Sequence, residues 1–106
     1  MKREPSEHEV QSAILQYLAI KQVMCWRANT GAMSGAHKGK RWFVRFGLPG
    51  SPDIFAVIAG QIYGIEVKGP KGKQSESQIE FQARFERAGG KYVLAHSLDD
   101  VTAVLT

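Results

Sequence analysis

The sequence predicts a mixed α/β domain with the element order α-β-(loop)-β-β-α-β-α. Two apolar runs rich in β-branched residues, 54–58 and 62–67, flank the three residues 59–61, and this pattern is typical of a β-hairpin. Capping boxes of the form Ser-x-x-Glu and Ser-x-x-Gln begin at Ser6 and Ser75, each before an amphipathic stretch. Helices on both sides of a hairpin and a further strand indicate a mixed sheet flanked by helices.

Length and composition bound the class of protein. The 106 residues, 43% hydrophobic and 23% charged, match one globular domain over residues 1–106. No apolar run approaches the roughly 20 residues that span a bilayer, and the N-terminus lacks a signal-peptide core. The single cysteine, Cys25, fits a reducing compartment. We therefore expect a cytoplasmic protein without membrane association, whose net charge of +4 permits attraction to nucleic acid.

The first predicted helix follows residues 1–5, which we expect to be frayed. Its apolar face consists of Val10, Ile14, Tyr17 and Leu18. Helical periodicity of about 100° per residue projects Glu7 near the centre of this face and Glu9 toward solvent. Capping explains Glu9. For Glu7 two interpretations remain open, a favourable interaction with the helix dipole and a role in a functional site.

The next segment combines a short strand with a long stretch of weak signal. Residues 22–28 predict a buried strand, and residues 31–50 predict a long basic loop. This loop interleaves cations with aromatic side chains, which suit phosphate contact and base stacking. The residues assigned to DNA contact are Lys38, Lys40, Arg41, Trp42 and Arg45, and one of Trp42 or Phe46 is expected to pack in the core. The alternative is a solvated run of charge with core aromatics.

The second half of the chain continues the α/β pattern. After the hairpin, residues 69–73 form a turn-rich loop in which Lys71 and Lys73 are further candidates for phosphate contact. The capping box Ser75-x-x-Gln78 begins a helix that Gly89-Gly90 ends. A strand over 91–95 and a short final helix complete the order.

Three charged residues interrupt the predicted hairpin. Asp53 lies at its mouth, and Glu66 and Lys68 share one face of the second strand. A turn with an even number of residues would place Asp53 opposite Glu66, whereas a three-residue turn would need a bulge. Two carboxylates about 4 Å apart repel by roughly 4 kcal/mol at an intermediate dielectric, and a divalent cation reverses that sign. Oxygen ligands with open water positions suit Mg²⁺ or Mn²⁺. The alternative is a Glu–Lys pair on a solvated strand face.

These residues carry a resemblance. Pro52-Asp53 followed by Glu66-Val67-Lys68 resembles the PD-(D/E)xK nuclease core. The surrounding G-S-P-D-I and I-E-V-K-G, the S-E-x-x-V-Q that begins at Ser6, and the N-T-G at 29–31 are similar to the virus-type replication-repair nuclease (VRR-NUC) domain. The resemblance implies a restriction-endonuclease-like fold. It also implies a small stand-alone nuclease of phage or bacterial type.

The resemblance extends to the site and the substrate. It implies a Mg²⁺- or Mn²⁺-dependent DNA endonuclease that cleaves Holliday junctions or flaps during replication and repair. Asp53 and Glu66 would hold the metal, together with Glu7 and the backbone carbonyl of Val67. Lys68 would orient the attacking water or stabilise the transition state. It also implies a catalytic role for one further residue, Gln78, although capping alone explains that side chain.

Several expectations about partners and activity stay open at this point. One short domain offers little surface for a branched substrate, so a homodimer with two symmetric sites is expected. A replication or repair helicase is a second expected partner. The first alternative is a non-catalytic or helicase-dependent DNA-binding module with the same fold. The second is a restriction-type nuclease that recognises a specific sequence.

Overall fold

The computed structural model describes residues 4–28 and 31–105. The elements are α1 (Glu7–Ile20), β1 (Met24–Arg27), β2 (Gly31–His37), β3 (Lys40–Phe46), β4 (Ile54–Ile58), β5 (Gln61–Val67), α2 (Glu76–Arg87), β6 (Lys91–Ala95) and α3 (Leu98–Thr102). The predicted α/β fold class is confirmed. Residues 4 and 5 precede α1, are exposed and have no regular secondary structure, and the rest of the segment expected to be frayed lies outside the described residues. None of the described helices has the length and apolar character needed to cross a membrane.

The central sheet has four strands in the order β1-β4-β5-β6. The pairs β1–β4 and β4–β5 are antiparallel, and β5 and β6 are parallel. A parallel pair needs a crossover, and α2 supplies it between β5 and β6. The sheet is therefore mixed, as the sequence predicts.

The β4–β5 hairpin has a two-residue turn. Ile58 pairs with Gln61, and the two residues between them, Ala59 and Gly60, have φ values of 50° and 83°. Positive φ at both central positions is the type I′ turn, whose twist matches that of the strands. Since Ile54 pairs with Ile65, the same register places the residues just outside this pair, 53 and 66, opposite each other. The even-numbered turn on which the site prediction depended is present.

The two faces of the central sheet are covered differently. On one face, α1 and α3 enclose the main core, which consists of Val10, Ile14, Leu18, Ile54, Ile65, Val67, Val93, Ala95 and Val101. The opposite face carries an aromatic cluster beneath α2, in which Phe55 lies 5.7 Å from Trp26, 6.5 Å from Phe81 and 5.9 Å from Phe85 between ring centroids. Ile79 on α2 does not join this cluster and is 53% exposed.

The prediction of a long loop over 31–50 is wrong. Strands β2 and β3 form a separate two-stranded sheet, paired from Gly31↔Phe46 to His37↔Lys40. Its turn, Lys38-Gly39, has φ values of 52° and 78°, a second type I′ turn. Glycine and serine in β2 have low strand propensity, and they weakened the alternation signal. Among the described elements, none packs extensively against this hairpin, which we call the basic arm.

Candidate active site

Asp53 joins three segments of the chain at the end of the central sheet. It directly precedes β4 and follows Pro52, which is buried. Its Oδ2 accepts a hydrogen bond from the backbone N–H of Val67 at 2.8 Å, and its backbone carbonyl accepts one from the N–H of Ala28 at 2.8 Å. The hydrogen bond from Val67 therefore fixes the Asp53 carboxylate against β5.

Glu66 is a buried acid on the neighbouring strand. The residue is only 3% exposed, and its Oε2 lies 4.0 Å from the Nζ of Lys68. Its Oε1 is buried and has no hydrogen-bond partner among the described residues. A buried carboxylate oxygen without a partner is costly, because it has lost water without gaining a replacement. This oxygen is the structure's strongest indication of an external ligand.

The electrostatic environment opposes ionisation of Glu66. Burial raises the pKa of its carboxyl to about 8, and the hydrogen-bonding capacity and charge of neighbouring Asp53 contribute to this increase. The ammonium group of Lys68 lowers this pKa, whereas the charge of Glu7 raises it slightly. Two carboxyls in such proximity favour either a retained proton or a bound cation. The site is therefore short of positive charge.

The two acids of the first helical turn have different surroundings. Glu9 completes the capping box, with Ser6 N–H donating to its Oε1 at 3.2 Å and its own N–H donating to Ser6 Oγ at 3.2 Å. The predicted cap is confirmed. Glu7 is exposed, yet its charge acts on Glu66, so the start of α1 lies on the side of the carboxyl pair.

The side chains fit a hard divalent cation with a small protein ligand set. Within residues 4–28 and 31–105, no three His, Cys, Asp or Glu side chains are grouped closely enough to hold one metal ion. Mg²⁺ retains several waters and is commonly held by one or two carboxylates. Asp53 and Glu66 supply two, and Oε1 of Glu66, which has no partner in the described part of the chain, is available as a ligand. The Val67 carbonyl, implied as a further ligand by the resemblance, belongs to the same end of β5.

Gly50 brings the segment before Asp53 against the start of α2. Its φ is +80°, and a Cβ at this position would lie 2.1 Å from the carbonyl oxygen of Ser77 and 2.8 Å from the backbone nitrogen of Gln78. Only glycine accommodates both the backbone conformation and this close approach. The turn before Asp53 thus rests directly on the first turn of α2.

Gln78 is a capping residue in the structure. Its Oε1 accepts a hydrogen bond from the N–H of Ser75 at 2.8 Å, and its own N–H donates to Ser75 Oγ at 3.2 Å. The predicted capping box is confirmed. Because Gly50 contacts this helical turn, Gln78 is linked to the segment that carries Asp53. Its catalytic role stays a prediction.

The loop after β5 folds back over Lys68. A Cβ on Gly72 would lie 2.9 Å from the Cβ of Lys68, and the carbonyl oxygen of Gly72 lies 3.0 Å from Nε2 of His96. Lys71 and Lys73 are exposed on this loop. Their positions are compatible with phosphate contact, which stays a prediction. Sequence reasoning assigned no role to His96, whose ring reaches the loop across 24 residues of sequence.

Tyr92 is a neighbour of the site that sequence reasoning missed. Its hydroxyl is buried without a hydrogen-bond partner in the described part of the chain. Burial raises the pKa of this hydroxyl to about 12, and the charges of Glu66 and Asp53 add to the increase. The nearby Gln74 side chain, a polar neighbour outside good hydrogen-bond geometry, lowers this pKa. Tyr92 pairs with Gly64 in register, two residues before Glu66 on β5. Strand alternation places it on the face of Glu66, a relationship that only the parallel pairing reveals.

The residues assigned to DNA contact divide between two places. Lys38, Lys40, Arg41 and Trp42 are exposed on the basic arm, whereas Lys71 and Lys73 lie on the loop after β5. The side chains of Arg45 and Phe46, and the residues Asn29 and Thr30 of the N-T-G motif, lie outside the described part of the structure. Trp42 does not join the main core, and its ring covers Gly35 on the arm.

A family comparison bears on this arrangement. The sequence profile of the VRR-NUC domain matches residues 5–99, from the start of α1 into α3. The chain belongs to the VRR-NUC family. No curated protein sequence matches it. The VRR-NUC match includes the carboxyl pair and Lys68, and membership in this family indicates a nuclease-type function with DNA as the partner.

Proposed function

We propose that this VRR-NUC domain is a Mg²⁺- or Mn²⁺-dependent DNA endonuclease that hydrolyses phosphodiesters in branched DNA. The observation that supports it best is the buried oxygen of Glu66, which lacks a partner among the described residues and lies beside a second carboxyl. A purely structural Glu–Lys pair would not require Asp53 at the same place. Family membership supports the nuclease class.

The residues of the site have distinct roles in this proposal. Asp53 and Glu66 hold the cation, and Glu7 and the Val67 carbonyl complete or tune the ligand set. When bound, the cation supplies Lewis acidity, which lowers the pKa of a water and neutralises charge on the phosphate. Lys68 orients the attacking water or stabilises the pentavalent transition state. The Asp53–Val67 hydrogen bond holds one carboxylate in place, which reduces the reorganisation needed when substrate binds.

The substrate proposal rests on what the chain contains. No helix-turn-helix occurs among its described elements, and the cysteine and histidine content excludes a zinc finger. Recognition would therefore depend on backbone charge, DNA shape and exposed bases. A homodimer would present two sites to opposite strands of a four-way junction. A helicase partner and a cytoplasmic location in a bacterial or phage-infected cell remain further proposals.

The decisive experiment compares matched substrates. Linear duplex, flap and four-way junction of one sequence are incubated with a single protein preparation in Mg²⁺, in Mn²⁺ and in EDTA. We expect metal-dependent cleavage with a preference for the branched substrates, and loss of cleavage in Glu66→Gln. Cleavage in EDTA would contradict the metal site. Equal rates on linear duplex and junction would contradict structure selectivity and leave the metal chemistry intact.

A further inference from the structure

The basic arm carries all of the chain's net charge. Residues 31–47 contain four basic residues, Lys38, Lys40, Arg41 and Arg45, and no acidic ones. The rest of the chain contains ten basic and ten acidic residues and is therefore neutral. The basic arm thus concentrates positive charge and packs against little of the remaining protein. These two features favour binding to a polyanionic partner.

The two faces of the arm differ in chemistry. Directly paired residues share a face, so Met33 with Val44 and Gly35 with Trp42 occupy one side. The middle of that side is apolar, and the His37–Lys40 pair lies on it next to the turn. The Trp42 ring lies so close to Gly35 that a Cβ there would approach it to 2.6 Å. Trp42, although 42% exposed, therefore packs one part of its ring against Gly35 within the hairpin.

The opposite face carries Phe43 between basic positions. Register places Arg41 and Phe43 there, with Arg45 as the next position along β3. The partner residues on β2 are small, Ser34 opposite Phe43 and Ala36 opposite Arg41. Phe43 is 63% exposed, a higher fraction than Met33, Trp42 or Val44, the other large apolar side chains described on the arm. An exposed aromatic ring on the face that carries Arg41, with small residues on the paired strand, is a stacking surface for an unpaired base whose phosphate is neutralised nearby.

The arm begins and ends beside the candidate active site. Ala28, which follows β1, hydrogen-bonds to the backbone carbonyl of Asp53, and the chain returns from β3 only a few residues before Gly50. Phe43 is three residues from the end of β3 at Phe46, or roughly 10 Å along the strand. The start of the arm is therefore held at Asp53 through Ala28, and Phe43 lies on the strand that leads back from the arm toward that segment.

We propose that the Arg41–Phe43 face of the basic arm binds an unpaired nucleotide of the DNA substrate and so directs cleavage to junctions between duplex and single strand. This inference rests on the proposed function, because it assigns the source of its structure selectivity. Phe43, rather than Trp42, is the base-stacking residue. Arg41 contacts a phosphate of the same strand.

Binding measured without cleavage tests the proposal. The full chain is titrated in EDTA against a linear duplex, a flap and a single strand, with 2-aminopurine at the unpaired position. Loss of one base–aromatic stack corresponds to about 5- to 150-fold in affinity. We expect Phe43→Leu to weaken flap and single-strand binding within this range, to abolish the fluorescence quenching, and to change duplex affinity less than twofold. Phe43→Trp should retain the wild-type pattern.

The adjacent residue provides a matched control. Val44 is apolar and 53% exposed on the same strand, but it lies on the opposite face. Val44→Ala should leave binding to all three DNAs unchanged. Arg41→Gln should reduce the salt slope on the single strand by about 0.7. Circular dichroism verifies that each variant retains the wild-type fold.

The outcomes separate this inference from the proposed nuclease function. The stacking role would be overturned if Phe43→Leu lost as much affinity for duplex as for flap, or if its affinities did not change. It would also be overturned if Val44→Ala weakened binding as much as Phe43→Leu. If the wild-type protein cleaves flaps and Phe43→Leu retains the same preference, the inference also fails while the nuclease function stands. If the wild-type protein cleaves no DNA but shows the expected binding pattern, the nuclease proposal fails and the binding surface stands.

Discussion

The Asp53 carboxylate accepts a hydrogen bond from the backbone N–H of Val67 at 2.8 Å, so a candidate metal ligand also anchors the end of β5. Two substitutions of Asp53 separate the role of its negative charge in cleavage from the role of its hydrogen bond in stability. Asp53→Asn keeps an oxygen acceptor but loses the charge, and we expect cleavage to fall at least about 100-fold with little change in the urea midpoint. Asp53→Ala should lose cleavage equally and also destabilise the fold by about 1–3 kcal/mol, because the Val67 N–H loses its partner. Equal stability of the two variants would contradict the anchoring role.

Glu66 makes the stability of the metal-free protein depend on pH. Its folded-state pKa of about 8 exceeds the ordinary value of 4.5, so the protonated form is favoured by folding. The associated stabilisation is complete below pH 4.5 and disappears as the pH rises through about 8. We expect urea unfolding in EDTA to show this decline in the wild type relative to Glu66→Gln. A difference between the two proteins that is independent of pH would contradict the raised pKa.

The two acids at the start of α1 should respond differently to substitution. Glu7 is exposed and acts on Glu66 through its charge, so Glu7→Gln should lower cleavage with little change in melting temperature. Glu9 completes the capping box with Ser6, so Glu9→Ala should lower stability by roughly 0.5–2 kcal/mol and preserve cleavage. Cleavage assays and thermal melts on the same preparations measure both effects. The reverse pattern would show that the two roles have been exchanged.

The contrast between the two hairpins shows what the sequence can predict. The β4–β5 hairpin could be predicted because long β-branched runs flank a turn containing Gly60. The β2–β3 hairpin could not, because Gly31 and Gly35 lack side chains that would mark alternation, and its Lys38-Gly39 turn lies within a run of basic residues. Turn chemistry was the available signal, since Gly favours the positive φ that such turns require.

The candidate site was predictable to the extent that its residues are close in sequence or carry charge. Asp53 and Glu66 followed from hairpin register, which a single turn determines. Tyr92 did not, because its proximity to Glu66 depends on the parallel β5–β6 pairing across a helix. The close contact between Gly50 and Ser77 was equally hidden, since no local pattern reports how a loop packs on a distant helix.

Gly50 should be essential for positioning Asp53. Gly50→Ala introduces both a positive-φ strain and a Cβ that would lie 2.1 Å from the Ser77 carbonyl oxygen. We expect a loss of more than about 2 kcal/mol in unfolding free energy, together with loss of cleavage.

Two other glycines separate these causes. Gly60→Ala has a positive φ but open space, and we expect a loss of about 1–2 kcal/mol with cleavage retained. Gly69→Ala has neither feature and should change little. Urea denaturation of the three variants gives the comparison. A Gly50→Ala protein as stable and active as Gly69→Ala would contradict the close packing of this loop on α2.

The salt dependence of DNA binding should identify which basic residues contact phosphate. Lys38, Lys40 and Arg41 are exposed on the basic arm, and the chain's net charge is concentrated there. Each phosphate contact that is lost should reduce the slope of log K against log salt by about 0.9 on duplex DNA, because fewer counterions are released. Replacing these three residues with Gln should therefore lower the slope by nearly 3, measured by anisotropy in EDTA.

The matched control replaces Lys71 and Lys73, which lie on the loop over Lys68. A reduced slope in the control and an unchanged slope in the arm variant would assign the phosphate contacts to the loop. The arm would then have to bind something other than the DNA backbone, because its cations would contact no phosphate in the complex.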